Sequence, residues 1–371
     1  MTYDMTNCPK VPLPELLSFV VDNRGKTVPT AESGHALIAT NCIKNEYLYP
    51  VFEKVRYLSD ETYKTWFRAH PQPGDVIFVN KGTPGRVCMV PNPVSFCIAQ
   101  DMIAFRANPQ KLYNKYLLAV LRSVEMQTQI RNYNVGDVIP HFKKAFLGEL
   151  LIPLPDMETQ AAIGDMYFDF SDKIANNVKI NHHLEQMAQA IFTETCSEGK
   201  NAVLSDILTV CYGKDHKNLA DGNVPCYGSG GVMRYVDKAL YDNESVLIPR
   251  KGSLNNVIYI NEPFWTVDTM FYTQMTQPNV AKFVYFTVRD LDLAGMNVGS
   301  AVPSMTTAVL NALEIVLPTD GVLASFEENV SPMFLQIQAN KVESAHLTAL
   351  RDTLLPKLMS GELSVANLAA K

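Results

Sequence analysis

Along this chain hydrophobic positions first alternate in short runs, then lengthen into helical spacing, and the whole order occurs twice. The runs DVIFV (75–79), RVCMV (86–90) and CIAQDMIAF (97–105) are apolar or alternating, and Gly/Pro turns such as KGTPG interrupt them, which predicts short strands. KLYNKYLLAVLRSVEMQTQI follows and predicts a helix, with Tyr113, Tyr116, Leu117, Val120, Leu121 and Val124 on one face. Its counterpart near Lys282 to Leu291 is shorter. IPLP (152–155) and IVLP (315–318) then each close a strand.

Both copies end in long helical patterns. In the first, a short segment over about 157–168 leads into a longer one over about 171–195. In the second, Ser331-Pro332 offers an N-cap followed by proline at the first helical position, so a helix is expected from there to about Ser360, with Gly361 as its stop. A 3.5-residue seam runs through each helix: Phe170, Ile174, Asn177, Asn181, Leu184, Ala188 and Ile191, and then Met333, Ile337, Asn340, Ser344, Leu347, Arg351 and Leu354. Each seam has a polar pair at the same two positions, with Asn177 equivalent to Asn340, and buried asparagines at such places fix register between paired helices.

The repetition is visible in the letters as well. NVGDVIPHF at Asn134 returns as NVGSAVPSM at Asn297, and from there the two copies align without a gap over 59 residues with 15 identities. Upstream the offset drifts, since Leu13 aligns with Leu204, Lys81-Gly82 with Lys251-Gly252, and Arg122 with Arg289. One part of each repeat tolerates changes in length and the other does not, as expected of contact loops joined to a fixed scaffold.

Net charge is −6, which by itself argues against a polyanionic partner. The distribution changes that picture: residues 12–133 carry 14 Lys/Arg against 10 Asp/Glu, whereas 156–200 carry 3 against 8. A mildly basic module joined to an acidic one suits a chain that meets nucleic acid with the first and protein with the second. A helix of about 24 residues is about 36 Å long, close to one turn of B-DNA. Seven cysteines without a C-x-x-C point to free, buried thiols. No apolar run reaches membrane-helix length and the first residues lack signal-peptide character, so a cytoplasmic protein with no membrane partner is expected.

Other chemistry finds little support. YGSGG (227–231) lacks the lysine and spacing of a phosphate loop, and no [Asn/Asp]-Pro-Pro-[Tyr/Phe] string is present. Asp156 and Glu198-x-Lys200 mimic a nuclease set but fall at opposite ends of a helical segment, and the adjacent His182 and His183 cannot share a helical face as metal ligands. Trp66 and Trp265 are expected in the core.

LLIPLPDMETQAAI, DKIANNVKINHHLEQMAQAIF and LRDTLLPKLMSGEL resemble the scaffold of specificity (S) subunits of type I restriction-modification systems. PVFEKVRYLSDETYKTW with PGDVIFVNKGTPGRV, and VPCYGSGGVMRYVDKALYDNESVLIPRKGS, are similar to two kinds of target recognition domain. The resemblance spans essentially the whole chain. It implies an α+β, pseudo-two-fold protein: two repeated target recognition domains of mixed sheet and helices, separated by two long helices paired as an antiparallel coiled coil. The expected domains are 1–155, a central helical region 156–200, a second recognition domain 201–318, and a C-terminal helical region 319–371.

By the same resemblance the chain is a non-catalytic reader of double-stranded DNA with a bipartite target. Its partners are two methyltransferase subunits and the restriction/translocase subunits, and it carries no cofactor, S-adenosylmethionine and ATP residing on those partners. A reader subunit of a type IIB/IIG-like enzyme is the alternative, and a stand-alone nuclease or methyltransferase a more distant one. The family supplies no transferable list of base-reading residues, so the DNA-binding candidates come from chemistry. Arg24 and Lys26 lie in the turn DNRGKT, Asn80, Lys81 and Arg86 bracket NKGTPGR, and Lys214, Arg250, Lys251 and Asn255 occupy matching places in copy two. Such turns present backbone N–H groups and basic side chains to phosphates, and Arg or Asn can pair bidentately with guanine or adenine.

Overall fold

A computed structural model describes residues 5, 8–23, 25–135, 140–296 and 304–365. The chain forms two compact units, Met1–Lys179 with Asn340–Lys371, and Ile180–Ala339.

In the first unit an antiparallel sheet has the order Leu17–Val21, Met102–Ala107, Val76–Val79, Val87–Met89. The run VIFV is buried throughout because both of its faces are covered. Val76 and Phe78 pack with Tyr116, Leu117 and Val120 of the following helix, whereas Ile77 and Val79 face Leu37, Ile38 and Ile98 of a second sheet. Period-two alternation thus sends neighbouring residues into different cores. The second sheet has His35–Ile38 at its centre, antiparallel to Arg56–Leu58 and parallel to Phe96–Ile98.

The second unit repeats this topology. Leu208–Tyr212, Met270–Met275, Ser245–Pro249 and Ile258–Ile260 form the antiparallel sheet, and Asp221–Gly228 lies between an antiparallel neighbour, Gly231–Val236, and a parallel one, Trp265–Thr266. Each unit also joins its first and last strands, Lys10–Pro12 with Leu151–Pro153 and Lys200–Val203 with Glu314–Leu317, immediately before a long helix.

Several expectations require correction. CIAQDMIAF is two strands in different sheets, because the chain turns at Ala99, whose carbonyl accepts from Met102 N at 3.3 Å. KLYNKYLLAVLRSVEMQTQI is two helices, Asn114–Arg122 and Val124–Asn132. Ser123 ends the first and caps the second, its hydroxyl accepting from Met126 N at 3.2 Å, and this leaves Val124 at 65% exposure, off the buried face.

The long helices are longer than the sequence suggests. Met157–Thr195 is one helix of 39 residues and Asp320–Ser360 one of 41. Each is about 60 Å long at 1.5 Å per residue, against the 36 Å expected. Asp156 caps the first, accepting from Thr159 N at 2.8 Å, and Ile163, Tyr167 and Ser171 keep it buried across the expected break. In the second, Ser331 is no N-cap: its hydroxyl donates to Glu327 Oε1 at 2.6 Å, and the helix passes through Pro332 because Leu323, Phe326 and Val330 upstream are held in the core. Burial of an apolar stripe outweighs the one backbone bond that proline forfeits. Gly361, at φ 78°, ends this helix as expected.

Every seam position on both helices is buried or half-buried. In the first unit Asn177 Nδ2 donates to Ser344 Oγ at 3.2 Å, to Glu343 Oε2 at 2.8 Å and to the Asn340 carbonyl at 3.4 Å. Arg351 lies over the Tyr167 ring at 5.4 Å and donates to Ser171 Oγ at 3.4 Å. In the second unit Asn181 Nδ2 reaches the Ile337 carbonyl at 3.5 Å, and Ala188, Ile191 and Phe192 pack with Phe326, Val330 and Met333. The Asn177 amide, with Lys173 beside it, holds the Glu343 carboxyl below the usual carboxylate range. Among the described residues no helix is long and apolar enough to cross a membrane.

Candidate nucleic-acid interface

The two units build the same turn from the same parts. Val79 ends a strand of the four-stranded sheet in copy one and Pro249 does so in copy two; each is followed by Asn80-Lys81-Gly82 or Arg250-Lys251-Gly252. Gly82 and Gly252 take φ values of 86° and 87°, a conformation that strains any residue with a Cβ. The segment that follows the NVG repeat clasps each turn from one side. Lys81 forms an antiparallel bridge with His141 and Lys251 one with Ser304, while Phe142 N donates to the Asn80 carbonyl at 2.8 Å and Met305 N to the Arg250 carbonyl at 2.9 Å. On the other side a hydroxyl faces each glycine, since a Cβ on Gly82 would lie 3.9 Å from Thr40 Oγ1 and one on Gly252 would lie 2.9 Å from Ser229 Oγ. Backbone fixed in this way leaves the Lys81 and Lys251 side chains exposed.

The other expected DNA-binding residues have varied fates. Arg24 lies outside the described residues, as do positions 136–139 and 297–303 of the NVG repeats. Lys26 and Lys214 are exposed, and the Lys214 backbone carbonyl holds its loop by accepting from Trp265 Nε1 at 3.0 Å. Arg86 is half-buried at the base of the copy-one turn, where its carbonyl accepts from Val79 N at 2.9 Å. Asn255 is exposed, but its Oδ1 accepts from Ala294 N at 3.0 Å, which ties it to its own unit. Asn80 is only 4% exposed, enclosed by backbone bonds to Asp101 and Phe142, so its side chain does not stand at the surface.

One partnership escaped the sequence. The Arg250 guanidinium lies 5.3 Å from the centre of the Tyr212 ring, and its Nη1 donates to the Asp268 carbonyl at 3.1 Å. Tyr212 and Arg250 are far apart in the chain, and the strand that ends at Tyr212 is separated by a third from the strand that Arg250 follows, so no local pattern links them. Thr40 and Ser229 were missed for a related reason, because the offset between copies drifts in that region. Trp66 is half-buried against the first unit's core and Trp265 against the second's, in line with a packing role. Asp156 is committed to its helix cap, and among the described residues no group of three or more His, Cys, Asp or Glu is placed to hold a metal ion.

Comparison with known proteins was consistent over most of the chain. Residues 28–186 and 200–322 each match the family model described as type I restriction modification DNA specificity domain. The MjaIX specificity subunit of a type I restriction enzyme from Methanocaldococcus jannaschii is 23% identical over 374 residues, covering 87% of this chain and 85% of that protein. The HindI specificity subunit from Haemophilus influenzae is 26% identical over 140 residues, covering 38% of this chain and 26% of that one. The S subunit of a type I restriction-modification system from M. genitalium shares the fold, with a TM-score of 0.65 at 17% identity over 95% of this chain and 96% of that one.

Proposed function

This chain belongs to the type I restriction modification DNA specificity family, and we propose that it is the DNA-reading subunit of such a complex, without catalytic chemistry of its own. Each unit supplies one recognition domain, and each domain reads half of a bipartite DNA target. The recognition domains are 1–155 and 201–318. The helical regions 156–200 and 319–371 pair as an antiparallel coiled coil, set the domains apart in a pseudo-two-fold frame, and dock two methyltransferase subunits. S-adenosylmethionine and ATP belong to the methyltransferase and translocase partners.

The observation that carries this reading is the duplicated clasped turn. Two copies of one topology each present an exposed lysine, Lys81 or Lys251, on a turn fixed by bridges to equivalent positions. A rigid backbone with a long cationic side chain is suited to a phosphate oxygen, and two such turns suit two half-sites. The seam supports the scaffold role, because Asn177 fixes one register by reaching three partners on the facing helix.

The test is biochemical. Purified full-length chain, mixed with the methyltransferase subunit of its own strain, should form a stable complex that binds one class of duplex with an affinity that falls steeply as salt rises. Turnover of DNA by the chain alone, or no association with the methyltransferase, would rule the reading out.

A further inference from the structure

What the two copies share serves a need common to both half-sites, and what differs between them serves sequence. Lys81 and Lys251 are shared. The residue before each lysine is not: Asn80 is 4% exposed, whereas Arg250 is half-buried with its guanidinium carried on an exposed tyrosine. By sheet register Tyr212 pairs with Phe271 and Val21 with Ala104, the counterpart of Tyr272, so the copy-one residue in the place of Tyr212 is Asp22, which is half-buried and ion-paired with Lys144. The second unit therefore holds a cationic fork on an aromatic ring at a place where the first holds a buried asparagine and an aspartate already paired with Lys144.

We propose that Arg250, stacked on Tyr212 and tethered to the Asp268 carbonyl, reads the guanine of one G·C pair in the half-site recognised by the second unit. This deepens the DNA-reading function proposed above and rests on it.

Three features favour a base over a phosphate. First, the fork is held before DNA arrives. Tyr212 is 51% exposed, and its ring is itself fixed by an edge contact with Phe271 at 5.1 Å between centroids and by its hydroxyl 3.5 Å from Thr307 Oγ1. A pre-set guanidinium loses little freedom on binding, and its planar fork matches the O6 and N7 acceptors of guanine. Second, one Nη1 bond to the Asp268 carbonyl at 3.1 Å leaves four N–H donors for a ligand. Adenine offers N7 but presents an amino group where guanine has O6, so a fork of donors discriminates between them. Third, the neighbouring Lys251 already supplies an exposed, flexible charge for the backbone.

The test replaces the chromosomal copy with R250K or Y212A in a strain that carries the partner subunits, and maps methylated adenines genome-wide. The unaltered chain sets the baseline, and absence of any split motif there would defeat the DNA-reading function itself, whatever Arg250 does. R250K keeps the charge and removes the fork. It is expected to relax one G·C position in one half of the motif to any base, with discrimination there falling about tenfold to a hundredfold and the other half unchanged. Y212A is expected to relax the same position more weakly. A motif unchanged at every position in R250K, or methylation lost equally at all sites, would overturn the assignment, since those are the signatures of a phosphate contact and of a scaffold residue.

Discussion

Lys81 bridges His141 across an antiparallel pair, and in the second copy Lys251 bridges Ser304 at the equivalent positions. Two segments that are distant in sequence thereby lock one turn, and the lock fixes the backbone from which each exposed lysine side chain extends. The substitutions differ across the bridge, histidine in one copy and serine in the other, because the link runs through backbone and leaves side chains free to diverge.

Lys81→Ala and Lys251→Ala should each weaken DNA binding to a similar degree for every sequence tested, and should each reduce the slope of log affinity against log salt by about one. Thermal stability should move by less than about 0.5 kcal/mol, since both side chains are exposed. Binding isotherms at several salt concentrations check this; an unchanged slope would remove both lysines from the interface.

Asn177→Ala takes away a buried amide that serves three partners on the facing helix. Leaving buried polar groups unpaired costs about 1–3 kcal/mol, so the denaturation midpoint should fall clearly. Val178→Ala, at a position 47% exposed, is the control and should move the midpoint far less. Equal shifts in the two variants would contradict a register role for the asparagine.

Lys282 is 5% exposed and sits between two carboxylates, Glu244 at 2.9 Å and Glu327 at 2.6 Å, with the Tyr259 ring 5.1 Å away. Lys282→Met strands both acids and should cost about 3–5 kcal/mol, because the penalty lies in the unpaired charges. Adding Glu244→Gln and Glu327→Gln should recover much of the loss. Urea denaturation of the single and triple variants measures it, and no recovery in the triple variant would show that the lysine acts through packing instead.

Burial pushes the thiols of Cys88 and Cys97 up to about 12 and that of Cys196 up to about 11. A folded value above the ordinary 9.0 means that stability held by these neutral thiols is complete below about pH 9 and is lost as pH rises toward the raised values. At pH 8 an aromatic disulfide reagent should therefore modify Cys8 and Cys211, which are half-buried, well before the five buried cysteines. Rapid modification of all seven in native protein would contradict the packing described.

Much of this was legible in the letters. The strand at 76–79, the helix after it and the seam all followed from periodicity, since alternation and 3.5-residue spacing are direct consequences of backbone geometry. Helix ends were less legible. Ser331-Pro332 is a sound local start signal, yet tertiary burial of Phe326 and Val330 carries the helix through it. Ser123 had the opposite effect, dividing a run whose apolar spacing was unbroken. For the site, Lys81 and Lys251 could be found because the repeat marks them, whereas Tyr212 beneath Arg250 depends on strand order, which no local window contains.

The most direct test of the central claim, that this chain confers a bipartite DNA specificity, is genome-wide mapping of adenine methylation in the native strain with and without the gene. Loss of one split motif on deletion, with its return on complementation, is the predicted result. A split motif that persists in the deleted strain, or one whose two halves are both retained when either recognition domain is exchanged, would contradict it.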